Sequence, residues 1–409
     1  LARQTDSVHR RSHRSSLRAR ALAVLAAFGV IALVAACSSA QAANRAEWTP
    51  ARTVAPIPLP TEVPPGGGAG NSAPPSSGGG SSNPSQPPSG GSSSSAATDP
   101  SVVATKLAAP VGIAVLPDTS ALVGERTTGR IVQVQPVAGL PVKTIRTLTG
   151  LDTSGGGGLL DLALSATYAE DGIVLALITT RTDVRVVHFT LTGPATPILT
   201  GIPKGATHNI GRLLVLGNGT ILVGTGDAGN PALAANPNSL AGKILRIDDV
   251  GQPAAGNPSA GSPVYASGFT TVDGMCVDTS SSRIYATQAG SVDKLNVITA
   301  GKTYTAADGQ SLSSDINGVG GCAVINKSIF VSALGGKDIF YAALGTDGQA
   351  GSLTGALKGK YGRIKNVVPA ADGTVWATTS NRDGSGTPVA TDERVLHLRL
   401  SGGGGGSTV

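Results

Sequence analysis

Between about Ser101 and Leu400 the chain alternates short apolar runs rich in Val, Ile and Leu with clusters of Gly, Asn, Asp and Ser. Runs of this length bounded by turn residues predict β-strands joined by tight turns. The runs recur in sets. IAVLPDTSALVGE is followed by GRIVQVQ, LLVLGNGTILVGTG by GKILRID, MCVDTSSSRIYATQ by DKLNVI, CAVINKSIFVSAL by DIFYAAL, and NVVPAADGTVWATT by RVLHLRL. A sixth set, LLDLALSATYAEDGIVLALITT with VRVVHFTL, has a longer first turn. Each set predicts a small antiparallel sheet, and such a sheet cannot bury both faces alone. Six of them arranged radially cover one another, and a repeat of roughly 45 to 60 residues suits four strands with variable insertions. The connecting segments lack the length and apolar period of the helices that a parallel α/β fold needs. The prediction is therefore an all-β chain, a six-bladed β-propeller of four-stranded antiparallel blades over 101–400. The segment Val102 to Leu107 is expected to add the outer strand that closes the last blade.

The two ends have a different pattern. Residues 1–36 place Arg3, Arg10, Arg11, Arg14, Arg18 and Arg20 before an uncharged apolar run of 16 residues, Ala21 to Ala36. That order is an export signal, and the run falls short of the roughly 20 residues of a membrane-spanning helix. Val34-Ala35-Ala36-Cys37 fits a lipobox, with Cys37 as the lipidated residue after cleavage; ordinary cleavage near Ala40 to Ala43 is the alternative. Residues 37–100 are dominated by Pro, Gly and Ser and predict a flexible tether, as does the tail 401–409. At about 50 residues the Pro/Gly/Ser stretch has a root-mean-square reach of roughly 40 Å. The expected location is the extracytoplasmic face of the cell membrane, with the membrane itself a partner through the lipid.

The export signal also accounts for the charge. The chain carries 31 Lys and Arg against 25 Asp and Glu; setting aside six arginines and Asp6 of residues 1–36 leaves 25 against 24. A nearly neutral mature chain, with no basic run interleaved with aromatics, excludes nucleic acid as a partner. Cys276 and Cys322 occupy matching places near the start of innermost strands in successive repeats. Export permits a disulfide between them; two buried free thiols are the alternative.

Candidate chemistry concentrates between Thr207 and Ile247, where His208 stands four residues before Arg212 and a Gly224-Thr225-Gly226-Asp227 turn follows. Asp227 either faces the central channel or, the better expectation, binds turn amides. Gly242-Lys243 lacks the spacing of a phosphate loop, so Lys243 and Arg246 read as blade-edge charges. His188 and His397 read as surface or structural residues. The chain holds no G-x-S-x-G elbow, which leaves a serine hydrolase without support.

Several motifs together resemble the soluble glucose/sorbosone dehydrogenases that depend on pyrroloquinoline quinone (PQQ), here with a lipobox. They are the Pro117 to Ile131 segment with Glu125-Arg126 and Gly129-Arg130-Ile131, Gly157 to Asp161, His208 to Leu213, Gly224 to Asp227, Leu240 to Arg246, and Gly362 to Lys365. The resemblance implies a six-bladed quinoprotein propeller in which His208 is the general base, taking the proton of a sugar's anomeric hydroxyl while hydride passes to the quinone. An imidazole can accept a proton at neutral pH and return it. The resemblance further assigns Arg363 and Lys365 to the quinone's carboxylates, adds Arg212 to the cofactor site, and assigns Gly290, Ser291 and Asp293 to a calcium ion.

The chain departs from the family pattern at several of these places. Gly156 stands where a glutamine is expected, Gly268-Phe269-Thr270-Thr271 replaces a G-H-R-N segment, Ser291 replaces a proline, and Lys365 replaces an arginine whose bidentate fork it cannot reproduce. Two classes of function follow. One is an envelope oxidoreductase acting with PQQ on a sugar or related alcohol; the other is a catalytically silent surface propeller that binds a carbohydrate, a lipid-linked ligand or a protein partner.

Overall fold

A computed structural model describes residues 99–400. The export signal, Cys37, the linker and the tail lie outside the described residues. The apolar sets form six four-stranded antiparallel sheets. Their innermost strands are Pro110–Val115, Leu159–Leu164, Gly211–Val215, Gly274–Asp278, Val319–Ile325 and Ile364–Pro369. Successive innermost strands touch, and the last touches the first, so the ring is closed. Blades are numbered below in that order.

Val102–Ala104 pairs antiparallel with Val395–Leu398 and supplies the outer strand of blade 6. The expected closure by Val102 to Leu107 is therefore present in its first half. Joining the chain's early and late strands makes ring opening cost the whole pairing at once.

The turns follow from residue chemistry. Asp118, Asn218 and Asp372 each accept the backbone N–H two residues on, at 3.0, 3.1 and 3.0 Å, in the first hairpin of blades 1, 3 and 6. The residue between is left-handed in each, at φ 70°, 81° and 79° for Thr119, Gly219 and Gly373. A short polar side chain that mimics a backbone turn explains why D-T-S, N-G-T and D-G-T recur. In blade 2 the longer turn contains the four-residue helix Tyr168–Asp171.

The core consists of six apolar clusters, one at each blade interface. Leu122 and Ile131 of blade 1, for example, pack with Leu159, Leu162 and Val174 of blade 2. Trp376, fully buried between blades 6 and 1, lies against His397 with ring centroids 4.8 Å apart. His397 also bonds Thr374 at 2.8 Å, in keeping with a structural role. Cys276 and Cys322 form the disulfide, with Cα atoms 5.6 Å apart, and staple the innermost strands of blades 4 and 5.

Lys243 corrects the sequence expectation. It is 0% exposed rather than an edge charge. Its ammonium donates to the carbonyls of Leu233, Ala234 and Ala241 at 2.7, 2.8 and 2.8 Å. Burial pushes its pKa down to about 8, yet three acceptors are matched only by an ammonium with three N–H donors. The bonds tie down the excursion between the second and third strands of blade 3, which carries the short helix Pro231–Ala235. Arg246 does behave as an edge charge, half-buried over Tyr265.

Candidate active site

His208 sits in the loop that enters the innermost strand of blade 3, in the left-handed region at φ 56°. The loop is held by Asn209, 2% exposed, whose amide donates to Ser154 and Gly205 carbonyls and whose oxygen accepts from Gly205 N–H. Gly155 must be glycine here: a Cβ would lie 2.4 Å from the Asn209 amide.

Asp227, 1% exposed, accepts from His208 Nδ1 at 2.7 Å and from Gly229 N–H at 2.8 Å through the same oxygen. The turn role expected for this carboxylate is real, and orientation of the histidine is added to it. With Nδ1–H donating to the carboxylate, Nε2 keeps its lone pair and can accept a proton. Asp227 is itself anchored by its N–H to the Thr270 carbonyl at 2.9 Å. Its loop begins where Gly226 bonds Ile210 and ends where Gly242 bonds back to Gly226, at 2.9 and 2.8 Å. The Lys243 cage thus holds the same loop that orients the histidine.

A cavity of about 310 Å³ opens beside the histidine, lined by Arg126, Gly156, His208, Arg212, Thr271, Lys365 and Asp383 among others. The structure therefore brings three of the sequence-derived residues, His208, Arg212 and Lys365, to one place. Arg212 is 3% exposed. Its Nε donates to the Asp273 carbonyl at 2.6 Å, and Asp161 stands 3.8 Å from Nη1. Both terminal nitrogens are buried without a hydrogen-bond acceptor. Burial raises the Asp161 pKa to about 6, against the pull of Arg212 and of the Leu213 and Leu162 amides. Lys365, half-buried, is pushed down to about 8, first by burial and then by Arg212 and Arg126, with Asp273 and Asp383 pulling the other way.

Arg363 is placed differently from its expected role. It does not line the cavity; its Nε and Nη2 hold Asp383, which does, at 3.0 and 2.8 Å. Arg363 precedes the innermost strand of blade 6, its N–H is bound by Asn381, and the register shifts between Ile364 and Asn366. The i, i+2 spacing therefore does not put Arg363 and Lys365 on one face, as regular strand pleating would.

Gly290, Ser291 and Asp293 of the calcium segment do not line this cavity. Asp293 is buried, and its two oxygens accept from Gly290 N–H at 3.1 Å and Val319 N–H at 2.7 Å. Gly290 and Ser291 are exposed. Calcium takes six to eight oxygens, and one carboxylate already spent on two amides does not fit it. Among the described residues there is no group of three or more His, Cys, Asp or Glu side chains placed to hold a metal.

An anionic cofactor is another matter. Two buried guanidinium nitrogens without acceptors, with Lys365 on the same cavity, fit the acidic groups of a quinone such as PQQ. The replaced family positions are also accounted for. Phe269 turns into the core and stacks on Tyr304 at 4.9 Å. The Thr270 carbonyl anchors Asp227, and the Thr271 hydroxyl donates to Asp273 at 2.6 Å. A Cβ on Gly156 would meet nothing within 4 Å, so the missing glutamine leaves open space. Sequence reasoning did not single out Arg126 or Asp383. Arg126 lies inside the quoted Glu125-Arg126 motif, so its signal was present; Asp383 stands in a Gly- and Ser-rich loop with none.

The family model for glucose/sorbosone dehydrogenase matches residues 107–307. The PQQ-bound aldose sugar dehydrogenase of Streptomyces coelicolor is 34% identical, with 73% of this chain and 96% of that chain covered and a TM-score of 0.69. A putative oxidoreductase (glucose dehydrogenase) from Thermus thermophilus is 29% identical over 72% of this chain and 98% of that one, with a TM-score of 0.67. An uncharacterised protein of Synechocystis is 32% identical over 232 residues, 48% of this chain and 56% of the relative, so the match spans little more than half of that protein. With the family model, a near-complete match to a relative above thirty per cent identity, and the six-bladed ring in agreement, the chain belongs to the glucose/sorbosone dehydrogenase family.

Proposed function

We propose that this chain is an envelope oxidoreductase that binds PQQ in the cavity beside His208 and oxidises a sugar or related alcohol. The observation that carries the reading is the His208–Asp227 pair at 2.7 Å, opening on a cavity whose Arg212 has two buried nitrogens without acceptors. PQQ bound there would supply the two-electron acceptor for hydride from the carbinol carbon. Arg212 and Lys365 would hold its acidic groups. His208 Nε2 takes the hydroxyl proton, and Asp227 keeps the ring in the tautomer that can do so and stabilises the imidazolium that results. Since the calcium segment does not fit the ion, no step is assigned to calcium.

The location belongs to the same proposal. An export signal over residues 1–36 followed directly by Cys37 supports a lipoprotein tethered by its linker to the extracytoplasmic face of the cell membrane, where the domain would meet extracellular sugars. Metabolic labelling with a radiolabelled fatty acid, compared with a Cys37→Ser variant, tests the anchor; no label on the wild type refutes it.

The function is tested by calorimetric titration of the protein with PQQ, with and without calcium, followed by dye reduction with a panel of aldoses. Tight PQQ binding with aldose-dependent reduction that is lost in His208→Ala is the expected result. Absence of binding at high micromolar PQQ refutes the quinoprotein reading. Tight binding without reduction would leave a binding role in place of catalysis.

A further inference from the structure

The cavity carries one cation more than the proposed cofactor role uses. Arg126 is clamped along its backbone, its N–H donating to the Ala109 carbonyl and its carbonyl accepting from Leu159 N–H, both at 3.0 Å. Its Nη1 donates to the Gly157 carbonyl at 2.9 Å, which fixes the guanidinium beside the Gly155–Gly158 loop. Among the described residues that is its one side-chain hydrogen bond, so Nε and Nη2 are not engaged by a protein acceptor. These two N–H groups share one edge of the guanidinium plane, the arrangement that donates to both oxygens of a carboxylate.

The neighbourhood suits a ligand and not merely a counter-ion. Gly156 is left-handed at φ 87° with no atom within 4 Å of a Cβ position, so space lies open beside Arg126. His208 lines the same cavity. Among the described residues the one acid lining it is Asp383, which Arg363 already engages. Arg212 is paired with Asp161 at 3.8 Å, so Arg126 and Lys365 are the lining cations that leave positive charge in excess.

We propose that Arg126 is a specificity residue for the carboxylate of a uronic acid, an aldose bearing a carboxylate at the end remote from its anomeric carbon. The inference rests on reading the cavity as the sugar site. The chemistry is unchanged by it: the anomeric hydroxyl would give up its proton to His208, bound PQQ would supply the acceptor for the hydride of the anomeric carbon, and the carboxylate would take no part in bond-making. Neutral aldoses lack the group that Arg126 Nε and Nη2 accommodate. A phosphorylated sugar, with three oxygens in a tetrahedral arrangement, matches a single planar edge less well than a carboxylate does.

The test is titration calorimetry of the full chain with glucuronate, glucose and glucose 6-phosphate, each with and without PQQ. Glucuronate is expected to bind at least about ten-fold more tightly than glucose, as a charge-assisted bidentate contact implies. Arg126→Gln, which keeps a donor for the Gly157 carbonyl, should bring the glucuronate-to-glucose ratio close to one, and Arg126→Lys should restore part of it. Melting curves establish that both variants fold. The proposal is overturned if glucose binds as well as glucuronate, if glucose 6-phosphate binds best, if no sugar binds at millimolar concentration, or if Arg126→Gln weakens PQQ binding by the same factor as glucuronate. An Arg126-dependent preference for glucuronate without PQQ binding would refute the quinoprotein reading and leave this one standing. PQQ-dependent glucose oxidation without the preference would do the reverse.

Discussion

Replacing Lys243 with methionine removes a buried ammonium while keeping most of the apolar stem. The consequence can be worked acceptor by acceptor. The Leu233 carbonyl still receives Asn236 N–H at 3.3 Å and the Ala234 carbonyl still receives Gly268 N–H at 3.2 Å. The Ala241 carbonyl loses the only donor it has among the described residues. One orphaned buried carbonyl costs about 1–3 kcal/mol, and two weakened ones add roughly 0.5–1 kcal/mol each. Methionine spares the desolvation of an ammonium, which offsets part of this. The net loss comes to about 3 kcal/mol. With an unfolding entropy of roughly 2.1 cal/mol/K per residue over a domain of about 300 residues, that lowers the melting temperature by about 5 °C. Circular dichroism melts at neutral pH measure it, with Lys143→Met at an exposed strand position as a control expected to change stability by less than about 0.5 kcal/mol. Since the Lys243 cage closes the loop that carries Asp227, dye reduction should fall along with stability. A Lys243→Met protein that melts with wild type would show that the three carbonyls do not depend on the ammonium.

Other outcomes follow from the same geometry. His208→Ala, at a side chain 41% exposed, should leave melting unchanged while sugar-dependent dye reduction drops by about 10²-fold or more; a drop in melting temperature instead would make the residue structural. Asp227→Asn should cost activity on a similar scale by releasing the ring's tautomer, and full activity in this variant would remove the orienting role. Burial pushes the Lys365 ammonium down to about 8 from the ordinary lysine value of 10.5. Between these values the unfolded chain binds the proton that the native one has lost, so stability should rise with pH by up to about 3 kcal/mol. Over the same range the affinity for PQQ should fall, and binding near pH 8 should take up a proton, seen by calorimetry in buffers of different ionisation enthalpy. Lys365→Gln should flatten the PQQ dependence and remove only its share of the stability rise, since buried Lys243, also pushed down to about 8, contributes over the same range; an unaltered PQQ profile would refute the assignment. Reducing the Cys276–Cys322 bond, which closes a separation of 46 residues, should cost at most about 4 kcal/mol by loop entropy; denaturant melts with and without reductant measure it, and coincident curves would contradict a stabilising staple.

The architecture was legible because the repeated Asx turns, D-T-S, N-G-T and D-G-T, and the apolar runs between them are local signals. A strand with two apolar faces needs neighbours on both sides, and six such sets leave radial closure as the natural arrangement. The closing strand near Val102 and the disulfide were also within reach, since both depend on equivalent places in the repeat.

Side-chain direction at the site was not legible in the same way. Arg363 and Lys365, two apart in sequence, separate because one precedes a strand and the register shifts between Ile364 and Asn366. Lys243 looked like an edge charge because nothing local reveals that a loop folds back and offers it three carbonyls. Asp227 showed its turn role in sequence, but its bond to His208 spans 19 residues and exists only once the blade 3 hairpin has formed. Sequence alone determined the blades, the repeat and the histidine, because those rest on local patterning and on motif. The tertiary structure alone decided which charges share the cavity, which are spent on backbone amides as Asp293 is, and that Arg126 and Arg212 keep nitrogens free, since these depend on contacts among distant segments brought to the axis of the ring.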